Sequence, residues 1–106
     1  MKIYEAAKIR AEIIKAMAHP ARLMIIEFLA EGDKLFSEIY ELFDCDKSTI
    51  SKHLLVLKNA GIVSSQKKGV DVLYKLETKC IIKFLDCVNN VINTSIKKKK
   101  ECLHCK

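Results

Sequence analysis

The stretch Asp46-Lys47-Ser48-Thr49-Ile50-Ser51-Lys52-His53-Leu54-Leu55-Val56-Leu57-Lys58-Asn59-Ala60-Gly61 decides how the rest of the chain is read. Asp46 suits a helix N-cap, because its carboxylate can accept from the free backbone N–H groups of the first turn. Gly61 suits the stop, because glycine takes the left-handed conformation that closes a helix without strain. Between them Ile50, Leu54 and Leu57 recur at i, i+4 and i+7, one buried stripe of a helix. Lys47, Ser48, Thr49, Ser51 and Lys52, with His53 at the margin, are left outside on the first two turns. They are short hydroxyls and cations, with no acid among them after the cap. A helix offering such groups at its N-terminal end fits the major groove of double-stranded DNA, where it meets base edges. A solvated amphipathic helix with no ligand accounts for the same spacing.

Composition narrows the setting. The chain has 106 residues, half of them apolar and one of them proline. That describes one small, mainly helical globular domain rather than a disordered chain. The longest apolar runs, Leu23–Ile26 and Leu54–Leu57, are far too short to span a membrane. Met1–Arg10 threads charges through its apolar residues and is not a secretory signal, so a cytoplasmic location is expected. The net charge of +6 is unevenly placed: residues 1–44 carry −2, 45–79 carry +4, 80–95 balance, and 96–106 carry +4. The surplus begins at the capped helix, and a polyanionic partner is its simplest use.

Working outward, Tyr4 to Met17 reads as a helix with a wide apolar face (Ala6, Ala7, Ile9, Ile13, Ile14, Met17). That face exceeds what a small domain can cover. Pro20 fits the first turn of a second helix running to Ala30, apolar nearly all round and therefore central. Ser37 can cap a short third helix, Glu38 to Phe43, with Ile39, Leu42 and Phe43 inward. Asp44-Cys45 then turns tightly into the capped helix, which makes a helix-turn-helix. Beyond Gly61, Ile62–Lys67 reads as a strand, Lys68-Gly69 as a turn, and Val70, Val72, Tyr74 and Leu76 as the inward side of a second strand. The resulting β-hairpin is a wing, with Lys67 and Lys68 at its tip placed for phosphate contact. A last helix, about Thr78 to Ile92, carries two apolar stripes: Ile81, Leu85, Val88 and Ile92, and beside it Cys80, Phe84, Cys87 and Val91. Two stripes are more than the hairpin can hide. The expected fold is mainly α with a small β-hairpin, a winged helix-turn-helix forming a homodimer through its first and last helices. Its partner would be an inverted-repeat operator. Residues 1–96 form that domain; 97–106 form a basic, cysteine-containing tail whose Lys97–Lys100 run is expected to be mobile.

This order of elements resembles the ArsR/SmtB family of metal-responsive repressors over roughly residues 8–93. The residues that carry the resemblance are Lys15-Ala16-Met17-Ala18-His19-Pro20-Ala21-Arg22-Leu23, then Ser48-Thr49-Ile50-Ser51-Lys52-His53-Leu54 with Leu57 and Ala60-Gly61-Ile62-Val63; Gly69 and Tyr74 suit the wing. The resemblance implies a homodimeric repressor, bound to its operator without effector and released by it. Ser48, Ser51, Lys52 and His53 match family positions on the DNA side, although His53 also suits a packing role. The family's metalloid motif, two cysteines flanking one residue, falls on Leu35-Phe36-Ser37 and has no thiol. Its zinc site on the last helix falls where only Asp86 is suitable and no histidine is present.

Five cysteines remain: Cys45, Cys80, Cys87, Cys102 and Cys105. Cys45 sits where the turn buries a small side chain. Cys80 and Cys87 share a helix face and serve either as core thiols or as ligands. Cys102-Leu103-His104-Cys105 is a C-x-x-C after a lysine run, where both sulfurs can meet one ion and nearby cations favour thiolates. Soft ions such as arsenite, cadmium or zinc prefer such donors. The expected effector is therefore a soft metal or metalloid held by Cys102 and Cys105 joined by Cys80 or Cys87, with the tail folded back along the last helix and no organic cofactor. A redox- or sulfide-responsive repressor uses the same thiols. A thiol oxidoreductase and an interaction dimer without DNA binding are remoter alternatives. His19, His53 and His104 fall on separate elements, with no paired carboxylates and no catalytic constellation.

Overall fold

A computed structural model describes the backbone of residues 2–104 and the side chains of residues 2–94. Eight elements follow in order: α1 (Ile3–Met17), α2 (Pro20–Ala30), β1 (Lys34–Leu35), α3 (Phe36–Tyr40), α4 (Lys47–Asn59), β2 (Val63–Lys68), β3 (Asp71–Leu76) and α5 (Ile81–His104). The expected hairpin is part of a three-stranded antiparallel sheet in the order β1-β3-β2. Lys34 and Leu35 pair with Tyr74 and Leu73 across the far edge of β3. Two residues carry no readable alternation; β1 exists because β3 offers it a free ladder of backbone groups.

α2 begins as its proline requires, with Pro20 in the first turn and His19 as N-cap, where Nδ1 accepts from the Ala21 N–H at 3.0 Å. Ile25, Ile26 and Leu29 are buried, and α2 packs against α4 and β3. α3 starts earlier than its sequence suggests and ends sooner, with Leu35 rather than Ser37 in the cap position. The Glu38 carboxylate accepts from the Leu35 N–H at 2.9 Å and so fills the capping role. Ser37 Oγ instead donates to Asp71 at 2.6 Å, tying the start of α3 to β3. Because α3 stops at Tyr40, residues 41–46 all lie in the connection to α4. Leu42 faces outward there, while Phe43 and Cys45 pack against the core.

The core gathers around α4. Ile50, Leu54 and Leu57 are buried with Ile25, Ile26, Ile39, Ile62 and Leu76. Each side chain of this size contributes about 1.5–3 kcal/mol on burial, so three at helical spacing fix which side of α4 faces out. Gly61 follows with φ +79°, the left-handed stop expected of it. β2 and β3 are joined by Gly69-Val70, with φ +60° at Gly69. Positive φ at the first of two turn residues is what a type II′ hairpin turn demands. The turn thus sits one residue later than Lys68-Gly69, and Val70, expected to begin the inward face, is fully exposed at the tip.

α5 runs from Ile81 past the expected end at Ile92, to His104. Ile81 and Leu85 are buried, whereas Phe84, Val88, Val91 and Ile92 remain open to solvent. On α1, Ile9, Ile13 and Ile14 are likewise exposed. Among the described residues no helix is long and apolar enough to cross a membrane.

Candidate nucleic-acid interface

The outer side of α4 follows from its inner side. With Ile50, Leu54 and Leu57 buried, Lys47, Ser48, Ser51 and Lys52 are exposed, and Thr49 and His53 sit half-buried at the flanks. Leu55, one turn beyond Ser51 and Lys52, continues this face and is 55% exposed. In the sequence Leu55 is hidden within the apolar run Leu54–Leu57 and carries no sign that it faces outward. Lys47 Nζ lies 5.7 Å from the centre of the Tyr40 ring, a cation–π contact that draws it toward α3.

Asp46 occupies the cap position with extended backbone, but its carboxylate caps no backbone N–H. Ser48 Oγ donates to it at 3.0 Å, and Thr49 Oγ1 donates to its other oxygen. These bonds, Thr49 first and then Ser48, hold the Asp46 carboxyl below its ordinary pKa. The reason is direct: a carboxylate that accepts is stabilised in its charged form.

His53 is fastened from behind. Arg22 Nε donates to His53 Nδ1 at 3.2 Å, and the His19 and His53 rings pack with centroids 4.3 Å apart. Arg22 also donates through Nη1 to the Ala16 carbonyl at 2.8 Å. One guanidinium therefore joins the end of α1, the start of α2 and the middle of α4. Burial, then the neighbouring His19 and Arg22 charges, lower the His53 pKa. His19 and His53 fall on separate elements in the sequence and yet meet in space. Their 34-residue separation left no sign, though His19 and Arg22 at i, i+3 belong on one helix face.

Lys67 and Lys68 end β2 on the exposed wing, with Val70 beyond them. The base of β2 is braced to α4 by Lys58 Nζ, which donates to Ser65 Oγ at 2.7 Å. Of the thiols, Cys45 is half-buried and Cys80 and Cys87 are exposed. Among the described residues no three of His, Cys, Asp and Glu gather closely enough to hold a metal ion. Cys102 and Cys105 lie outside the residues whose side chains are described, and with them the tail site they were expected to form.

Residues 19–65, from the α2 cap through the helix-turn-helix into β2, match the model of the bacterial regulatory protein family arsR. The transcriptional repressor SdpR of Bacillus subtilis is 35% identical over 81 residues, 76% of this chain and 90% of that protein. An HTH-type transcriptional regulator of Methanocaldococcus jannaschii is 42% identical over 90 residues, 81% of this chain and 98% of its own length. The crystal structure of Rv0081 from Mycobacterium tuberculosis superposes with a TM-score of 0.77 at 29% identity, covering 89% of this chain and 95% of that one. Motif, length and three-dimensional arrangement agree: the chain belongs to the ArsR family of winged helix-turn-helix transcriptional regulators.

Proposed function

We propose that the chain is a sequence-specific repressor acting in the cytoplasm as a homodimer on an inverted-repeat operator, one α4 entering each of two successive major grooves. The observation that carries the proposal is the exposed Lys47, Ser48, Ser51 and Lys52 on a helix otherwise locked into the core. Ser48, Thr49, Ser51 and Lys52 would meet bases or nearby phosphates; Lys47, Lys67 and Lys68 would neutralise phosphates. His53, held by Arg22 and His19, acts chiefly by setting the angle of α4. SdpR is a transcriptional repressor, and repression suits a small protein that competes for promoter DNA. Dimerisation is supported by the apolar faces of α1 and α5, which a second copy would cover.

The proposed signal is a soft metal or metalloid ion (arsenite, cadmium or zinc) taken up by cysteine thiolates. Its support is the exposure of Cys80 and Cys87. Cys80 lies in the turn before α5 and Cys87 within it, and at about 1.5 Å per helical residue Cys102 stands about 22 Å beyond Cys87. Cys102 and Cys105 are therefore proposed as ligands joined by Cys80 or Cys87 of a second copy.

The test is fluorescence anisotropy of the reduced, chelator-treated protein on DNA from upstream of its own gene. Binding should weaken steeply with salt, and Lys67→Ala should reduce affinity on every sequence. No complex near physiological salt would overturn the repressor proposal. Arsenite, cadmium, zinc and polysulfide are then added separately. Release by an ion, abolished in the Cys102→Ser/Cys105→Ser double variant, supports the thiolate site; unchanged release in that variant removes it. Release by polysulfide or oxidant alone selects a redox signal instead.

A further inference from the structure

The hydroxyls at the head of α4 have already spent their protons. A serine or threonine side chain has one O–H to give and lone pairs with which to accept. An ionised carboxylate can only accept, so in both contacts with Asp46 the proton necessarily comes from the hydroxyl. The carboxyl is held below its ordinary pKa, and it stays ionised at neutral pH. Ser48 is exposed on the face of α4 that carries Ser51 and Lys52; Thr49 is half-buried beside it. What this corner of the helix offers a ligand is therefore oxygen lone pairs, although its residue types suggest donors.

We propose that Asp46 is a specificity-determining residue, which orients Ser48 and Thr49 so that they read bases as acceptors only and favour adenine or cytosine over guanine or thymine where they touch the major groove. The inference rests on the DNA-reading role of α4 proposed above. In the major groove adenine and cytosine present an exocyclic amino group, N6–H2 or N4–H2, whereas guanine presents N7 and O6 and thymine presents O4. An amino group facing the Ser48 oxygen forms a hydrogen bond. A carbonyl in the same place sets lone pair against lone pair, and the hydroxyl cannot turn its proton outward without abandoning Asp46. Discrimination thus comes from an unfavourable pairing with the wrong base as much as from a favourable one with the right base. Lys52, one turn further along and a donor only, keeps the opposite preference for acceptor-bearing bases. Each half-site should therefore hold amino-bearing and carbonyl-bearing positions in a set order.

The test is selection from a randomised duplex library followed by sequencing, for the wild type, Asp46→Ala, Asp46→Asn and Ser48→Ala. The wild type should favour adenine or cytosine, on the order of tenfold, at one or two positions of each half-site. Asp46→Ala frees both hydroxyls to donate, so those positions should admit guanine or thymine while the others keep their preference. Asp46→Asn retains a good capping residue, so it guards against a folding defect. Its amide oxygen can hold one hydroxyl and release the other, and an intermediate relaxation is expected. Ser48→Ala should flatten the preference at the same positions. Weaker binding of Asp46→Ala and Asp46→Asn across all sequences, with base preference unchanged everywhere, would reduce Asp46 to a cap and overturn the inference alone. A folded wild type that enriches no sequence would instead overturn the DNA-reading proposal, and this inference with it.

Discussion

Arg22 shows how much one side chain can organise. Its guanidinium reaches the Ala16 carbonyl and His53 Nδ1 together, so it fixes α4 relative to the α1–α2 corner. Protonating His53 would put a charge in a partly buried position beside His19 and the Arg22 guanidinium, and would leave Nδ1 with no lone pair for Arg22. The folded state therefore holds the His53 pKa below the ordinary histidine value of 6.5. The sign follows from linkage: below about pH 6.5 the unfolded chain takes up a proton that the folded chain refuses. The His53 contribution is complete above that pH and is lost as pH falls through the lower, folded value. The melting temperature of the wild type should decline between pH 7 and 5.5, where carboxylates stay mostly ionised. His53→Gln offers Arg22 an acceptor that does not titrate and should flatten that decline. An identical slope in the variant would show that His53 is not the group responsible.

At the level of elements, α4 is held by its apolar stripe and stopped by its glycine, and the two devices differ in strength. Leu54→Ala opens a cavity among Ile25, Ile50 and their neighbours and should cost about 2–5 kcal/mol. Gly61→Ala meets no atom within 4 Å, so only its φ of +79° is at stake; about 1 kcal/mol is expected. Urea unfolding at one fixed protein concentration measures both, and a larger loss for Gly61→Ala than for Leu54→Ala would contradict the account. Most of α1, α2 and α4 was legible in the sequence because 3.6-residue periodicity, Pro20 and Gly61 are local signals. α3 was less so. Its cap is supplied from inside the helix by Glu38, while Ser37, the residue with capping chemistry, is engaged by Asp71 34 residues away.

For the whole molecule, the balance of exposed apolar surface is the main fact still to be accounted for. Ile9, Ile13 and Ile14 on α1, and Phe84, Val88, Val91 and Ile92 on α5, are all open to solvent in the single chain. Placing a carboxylate among them should oppose association, since a second copy would have to desolvate the charge. Phe84→Glu (49% exposed, and so not needed for the chain's own core) should sediment as a monomer where the wild type sediments as a dimer. Its affinity for a two-half-site operator should fall by more than its affinity for a single half-site. A wild type that sediments as a monomer at micromolar concentration would remove the dimer from the proposed function.

The sequence by itself determined α1, α2, α4 and the course of α5, the hairpin of the wing, the polar outer side of α4 and the family resemblance, because each is written in neighbouring residues through periodicity, caps and turns. It also showed apolar faces on α1 and α5 that one small domain would leave uncovered. Only the tertiary structure decided which polar groups meet. It brought His19 and Arg22 to His53, Ser37 to Asp71, and Lys34-Leu35 to the free edge of β3. It also set the Ser48 and Thr49 hydroxyls on the Asp46 carboxylate. The pairings between distant residues depend on a few tenths of an ångström between side chains that share no spacing in the sequence, so no repeat or motif announces them. Apolar burial is tolerant and periodic and can be read from the chain alone. Polar pairing is short-ranged and directional, and it exists only once the chain is folded.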